Sequence, residues 1–197
     1  IAPNAAGAGY YRFALDERGW TSLIASFRKL APSEQIAALD SLYASFAAGR
    51  VAAPLLLRAL ENAAGVADLE VQRQAIAIAG RLNWVTNSDE QRGAYASWVR
   101  SAFGGVRVNA AMAARGSAAE RQTAVSAIQL LALSGRDPAI RAQLLAQARA
   151  TLGLTRGPRA SADVRGLALI IGVQDGGSAL FAKLLETAKT TGDAQLR

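Results

Sequence analysis

Apolar residues recur at helical spacing along almost the whole chain after Trp20. They stand at positions i, i+3, i+4 and i+7, which is the rhythm of one buried helix face. Prolines, glycines and capping residues interrupt the rhythm at intervals. The pattern predicts an all-α fold built from short amphipathic helices. The first stripes contain Trp20, Leu23, Ile24, Phe27, Leu30, Ile36, Leu39, Leu42 and Phe46.

Local start and stop signals divide the stripes into helices. Pro32, Gly49, Pro54 and Gly65 separate three short helices, and Ser33 is the expected N-cap of the second. Polar residues that suit an N-cap stand before most of the later stripes. Those predicted helix starts are Asp68, Ser88 with Gln91, Ser117 with Glu120 and Asp137 with Pro138, and two further helices are predicted over Asp163–Gln174 and Ser178–Thr190.

The helices follow one another as pairs of roughly 35 to 45 residues without a strict sequence period. This spacing predicts an irregular HEAT/armadillo-like helical solenoid of antiparallel helix pairs over residues 19–197. Segment 106–115 is short and Ala-rich, and it fits either a helix or an irregular connector. A pair at the edge of such an array exposes apolar surface, so we expect a fragment to form dimers or exchange elements.

The beginning of the chain has a different pattern. Tyr10–Phe13 (Y-Y-R-F) is a cluster of strand-type residues that does not recur, and it predicts one short orphan β-strand. A lone strand cannot satisfy its own backbone groups and needs a sheet. We therefore expect residues 1–18 to be the end of a preceding β-domain and a linker. We expect the chain to be a piece of a larger protein, and to be truncated at its C-terminus as well, because a new helix is predicted to begin at Asp193.

Two residue types are missing from the composition. The 197 residues contain no Cys and no His. Disulfides and thiolate metal sites are thereby excluded from this chain. Histidine metal ligands, histidine general bases and Ser-His-Asp triads are excluded too. We expect no catalytic, cofactor-binding or metal-binding residue, and no enzymatic activity of this chain alone.

The net charge of +7 and the pI of about 10.5 raise the question of a nucleic-acid partner. Such a partner requires basic residues gathered on one face or stripe. Here the arginines are scattered singly among acidic residues, which favours a solvated surface and no nucleic acid. No apolar run approaches the ~20 residues that span a bilayer, so we expect no membrane partner.

Glycine-rich and acidic positions receive structural interpretations. Ala5–Gly9 precedes the predicted strand and Gly172–Gly177 lacks the G-K-[ST] of a phosphate loop, so both are predicted turns. Most acidic residues stand at helix starts, where they cap helices and offset the helix dipole. Asp40 lies close to an apolar helix face, and we expect it to pair with a nearby Arg.

The first segment also carries a resemblance. Asn4, Gly9–Arg12 (G-Y-Y-R), Asp16 and Trp20 resemble the segment that joins the last β-domain to the C-terminal helical domain in the aminopeptidase N family. This family of zinc metallo-aminopeptidases includes puromycin-sensitive and endoplasmic-reticulum aminopeptidases. The sequence departs from the family pattern in the place of the first glycine, in Phe13 for Val and in Leu15 for an aromatic residue. Two later segments, Leu39–Gly49 and Ser161–Gly172, resemble family helices in the same order.

The resemblance implies a function that is not catalytic. In that family the C-terminal helical domain closes over the zinc site and forms a chamber for peptide substrates. Zinc and its H-E-x-x-H motif then belong to a catalytic domain upstream, and the partners are the catalytic and β-domains of the same polypeptide. Arginine offers a bidentate fork to a peptide carboxylate. Arg81, Arg121 and Arg165 are therefore the candidate chamber residues.

Two alternatives stay open. One is a stand-alone helical-repeat scaffold that binds a protein partner on its concave face. The orphan strand argues against this alternative, because a free scaffold has no use for it. The other is a basic nucleic-acid-binding helical domain, which requires strongly salt-dependent binding.

Overall fold

The computed structural model describes residues 3–4, 7, 9, 11–106 and 116–192. Over these ranges the chain is all-helical, as the apolar stripes predict, and 3-10 turns cover Phe27–Lys29 and Leu82–Val85. The open segment 106–115 lies, from residue 107, outside the described residues, as does the sequence after Gly192. The α-helices of the described ranges are α1 (Glu17–Ala25), α2 (Pro32–Ala47), α3 (Ala53–Ala64), α4 (Leu69–Arg81), α5 (Asp89–Phe103), α6 (Ala118–Leu133), α7 (Pro138–Thr151), α8 (Ala162–Asp175) and α9 (Gly177–Thr190).

The predicted β-strand requires a correction. The described part of that segment, Tyr11–Phe13, has no regular secondary structure, and no strand occurs elsewhere in the described ranges. A strand needs a neighbouring strand for its backbone groups. Within the described chain the Phe13 N–H donates instead to the Ser41 hydroxyl on α2 at 3.3 Å. The segment is therefore bound to the helical body through side chains.

Helix starts follow most of the predicted capping residues. The side chains of Asp68, Ser88 and Asp137 each accept hydrogen bonds from backbone N–H groups of the first turn. Ser117 and Glu120 form the predicted capping box, with nitrogen–oxygen distances of 2.7 and 3.3 Å. The hydrogen bond from the Ser117 backbone N–H lowers the pKa of the Glu120 carboxyl. These helix starts could be predicted because an N-cap depends only on the residues of the turn that follows it.

The start of α2 differs from the prediction. Pro32 is the first helical residue and Ala31 is the N-cap, so Ser33 lies inside the first turn and is not the cap. The Ala31 N–H donates to the Glu34 carboxylate at 2.9 Å. Proline suits the first helical position because its φ is already helical and its missing N–H would have no intrahelical partner there.

The chain divides into two compact units, residues 1–130 and 131–197, with the boundary inside α6. In the first unit α3 contacts α1, α2, α4 and α5, so it is the central helix. In this unit α2 packs on α3 and α3 packs on α4, so these consecutive helices pack on one another as in a helical repeat. The predicted apolar stripes form the core. Its largest side chains, all less than 2% exposed, are Trp20, Phe27, Leu39, Leu42, Leu56, Leu60, Val71, Ile78, Val99 and Phe103.

In the second unit α7 packs on α8 and α8 packs on α9. Gly172 permits the close approach of these helices, because a Cβ there would lie 3.0 Å from Leu180 Cδ2 and 3.3 Å from Ala148 Cβ. Polar groups reinforce the packing. Arg141 on α7 forms a bidentate pair with Asp175 on α8 at 2.6 and 2.9 Å, and its Nη1 donates to the Ala132 carbonyl at 3.0 Å.

Candidate functional site

The junction segment, residues 3–16, begins with a loop that Asn4 closes. The Asn4 side chain is 4% exposed. Its Nδ2 donates to the Gly9 carbonyl at 2.9 Å, and its Oδ1 accepts from the Gly9 N–H at 3.0 Å. Gly7 has a φ of +65°, and a Cβ there would lie 2.9 Å from the Ser33 Cβ of α2. Glycine is required at residue 7 both for its conformation and for this approach.

Two exposed side chains extend the junction segment along α2. The Tyr11 hydroxyl donates to the Pro3 carbonyl at 2.7 Å. The Arg12 guanidinium donates twice to the Asp40 carboxylate, at 2.7 and 3.1 Å. The hydrogen bond to Asp40, and then its charge, raises the pKa of Arg12. The prediction that Asp40 pairs with an arginine is confirmed.

The end of the junction segment joins the core of the first unit. The Phe13 ring stacks on Trp20 with 5.4 Å between ring centroids, and Trp20 is 1% exposed. Asp16 Oδ1 accepts from the Gly19 N–H at 2.7 Å and so caps α1. Arg12, Phe13 and Asp16 therefore join the junction segment to α1 and α2, while Asn4 and Tyr11 make their hydrogen bonds within the segment itself.

Together the junction segment and two helices enclose a cleft of about 690 Å³. Arg12, Asp40 and Tyr11 offer polar groups to this cleft, but all three already have hydrogen-bond partners in the described structure. The polar groups of these three residues in the cleft are therefore engaged within the domain itself. Its lining is Asn4, Gly7, Gly9, Tyr11 and Arg12 of the junction segment, Ser33, Ile36, Ala37 and Asp40 of α2, and Gln74 of α4.

The three candidate arginines lie elsewhere. Arg81, at the end of α4, has its guanidinium carbon 5.8 Å from the centroid of the Tyr43 ring. Arg121 on α6 donates to the Gly116 carbonyl at 2.6 Å. Arg165 lies half-buried on α8 in the second unit. None of them is among the described residues that line the cleft, so their role in a chamber stays a prediction.

The described ranges contain neither the ligand set of a metal site nor a phosphate-binding loop. No group of three or more acidic side chains there is arranged to hold a metal ion. Of the turn predicted over Gly172–Gly177, only Gly176 lies between the helices, because Gly172 lies within α8 and Gly177 is the first residue of α9. The described helices also include none that is long and apolar enough to cross a bilayer.

Sequence reasoning found the motif residues but missed their partners. Ser41 and Asp40 are 28 residues away from Phe13 and Arg12, respectively. The only local signal was Asp40 beside an apolar helix face. Gln74 of α4 carried no signal, because a single polar residue on a helix is usually a solvated one.

The fold and the junction define a class of protein: an all-helical repeat domain whose N-terminal segment is fastened to its first helices. The chain belongs to the ERAP1-like C-terminal domain family, whose family model matches residues 1–197. That family is the non-catalytic C-terminal part of zinc aminopeptidases, and the resemblance seen in the junction motif is confirmed. No curated protein matches the chain.

Proposed function

We propose that this domain closes over the active site of a zinc aminopeptidase and forms the chamber for its peptide substrates. The family match over the whole chain carries this proposal. Enclosure limits the length of the peptide and excludes bulk water, while opening admits the substrate. The parent activity is the removal of N-terminal residues from peptides. Zinc belongs to the catalytic domain of the same polypeptide, and no described residue of this chain is assigned to hold it.

The junction supports the proposal because the junction segment is fastened to the helices, so that the two move together. Arg12 and Asp40, the Asn4 loop and the Phe13–Trp20 stack join the segment to α1 and α2. A movement of a preceding β-domain then moves the helices by the same amount. The cleft and the exposed Tyr11 side chain offer the β-domain a contact surface at the same place.

Within this proposal the three arginines recognise the carboxylates of the substrate. The exposed guanidinium of Arg81 lies over the Tyr43 ring, and this cation–π contact orients its N–H groups. Arg121 and Arg165 contribute further positive charge from α6 and α8. An arginine at any one of these positions that meets the substrate favours acidic peptides and free C-termini over neutral peptides.

The junction is tested in the full-length aminopeptidase. Arg12→Ala, Asp40→Ala and the double variant are compared on a single-residue chromogenic amide and on peptides of increasing length. We expect unchanged cleavage of the amide and an altered dependence on peptide length, by about tenfold in kcat/KM, because closure matters for long substrates. The double variant should resemble either single one.

Arg18→Ala, an exposed arginine on α1, is the matched control and should behave as wild type. Equal losses on the amide and on long peptides would contradict a chamber role. The alternative of a stand-alone scaffold is favoured by the exposed apolar residues of α8 and α9, among them Phe181 and Leu185. If the domain serves only as a protein-binding scaffold, the junction variants should leave the dependence of cleavage on peptide length unchanged.

A further inference from the structure

The loop between α7 and α8, residues 152–161, combines exposure with two arginines. Its sequence from residue 154 to 160 is L-T-R-G-P-R-A, and residues 153–159 are all exposed. Arg156 is followed by Gly157, and Arg159 is followed by Ala160. Exposed loops with small and polar residues are the preferred sites of proteolytic cleavage in folded proteins.

The loop is fastened at both ends and free between them. The Leu154 N–H donates to the Arg149 carbonyl at 2.9 Å. The Ala160 N–H donates to the Thr151 hydroxyl at 3.1 Å, and Ala160 is 6% exposed. No backbone N–H of residues 155–159 donates a hydrogen bond in the described structure. Residues 155–159 can therefore bind in the active site of a protease without unfolding of α7 or α8.

We propose that this loop is a processing site for an arginine-specific endopeptidase, which cuts the Arg156–Gly157 bond first. The Arg159–Ala160 bond is cut more slowly, because Ala160 is buried and its N–H is hydrogen-bonded, which restrains the residue after that bond. Gly157 adds no side chain beside the bond to be cut and has a φ of +153°. Hydrolysis adds one water across the bond, so that Arg156 gains a carboxylate and Gly157 an amino group.

The cut leaves its two products joined without a covalent bond. It falls between α7 and α8, which pack on one another. The bidentate pair of Arg141 and Asp175 spans the break, and the Arg141 side chain is 17% exposed. Processing therefore releases the constraint of the loop and keeps the helices in place. This proposal does not depend on the aminopeptidase function.

The test uses the native 197-residue chain with a limiting amount of trypsin as the probe. Initial rates at each arginine of residues 116–192 are measured by mass spectrometry. We expect cleavage after Arg156 to be about tenfold or more faster than after Arg136 or Arg149, since those bonds need local unfolding. Arg136 is an exposed arginine of a short loop and Arg149 an exposed arginine of α7, so both are internal controls.

Two variants and one denaturation series complete the design. Arg156→Gln should abolish the early cut, while Arg159→Gln should leave it. Low urea should not accelerate the cut, because it requires no global unfolding. The products should elute together from a sizing column until denaturant is added. Equal rates at Arg136 and Arg156, an early cut that survives Arg156→Gln, or products that separate without denaturant would overturn the proposal.

Discussion

Arg12 and Asp40 form a close ion pair that remains open to solvent. The Arg12 side chain is 65% exposed and that of Asp40 is 38% exposed. Pairs this exposed add little to the free energy of unfolding, because water and salt screen them. Their two parallel hydrogen bonds instead fix an angle between the junction segment and α2. Lysine has no planar fork, so Arg12→Lys is not a conservative change here.

Trp20 is one of the large, fully buried side chains of the first unit. It is 1% exposed and carries the Phe13 ring. Trp20→Ala should lower the free energy of unfolding by about 3–5 kcal/mol through lost burial and an unfilled cavity. Urea titration followed by circular dichroism measures the loss. Tyr11→Phe, at an aromatic residue that is 56% exposed, should change it by less than about 1 kcal/mol.

At the scale of elements, some predicted N-cap residues accept hydrogen bonds at a helix start and one does not. Asp137 accepts hydrogen bonds from the Ala139 and Ile140 N–H groups, each at 3.0 Å. Asp137→Ala should therefore cost about 1 kcal/mol of stability. Ser33→Ala is the control, because Ser33 caps no helix and should cost far less. Thermal unfolding of both variants, monitored at 222 nm, decides the matter; equal shifts would contradict this assignment of the caps.

The helices and caps could be predicted because their causes lie within a few residues of each other. Asp68, Ser88 and Ser117 each act on the turn that follows them. The partner of Arg12 could not be identified, since no local rule links positions 28 residues apart. The predicted strand was wrong over Tyr11–Phe13 because strand propensity does not supply the second strand.

At the scale of the whole molecule, the second unit leaves apolar side chains uncovered. Ile170, Val173, Phe181 and Leu185 are each 46–50% exposed on α8 and α9. We expect the isolated chain to self-associate at high concentration through this surface. Sedimentation velocity should show a dimer that the double variant Phe181→Ser, Leu185→Ser abolishes.

Val85→Ser is the matched control for this surface, because Val85 is 51% exposed in the first unit. It should leave the sedimentation profile as in wild type. A chain that sediments as a monomer at every concentration would contradict the expected dimer. A dimer that survives the double variant would assign the association to another surface.

The stack of Phe13 on Trp20 makes the junction optically visible. Indole emission shifts to longer wavelength when water reaches the ring, so Trp20 fluoresces differently once the segment peels away from α1. The chain also contains no Cys, and a single introduced thiol would carry a dye at one defined place. In a variant of this domain with Trp84→Phe and Trp98→Phe, detachment of the junction segment can therefore be timed by energy transfer between Trp20 and that dye.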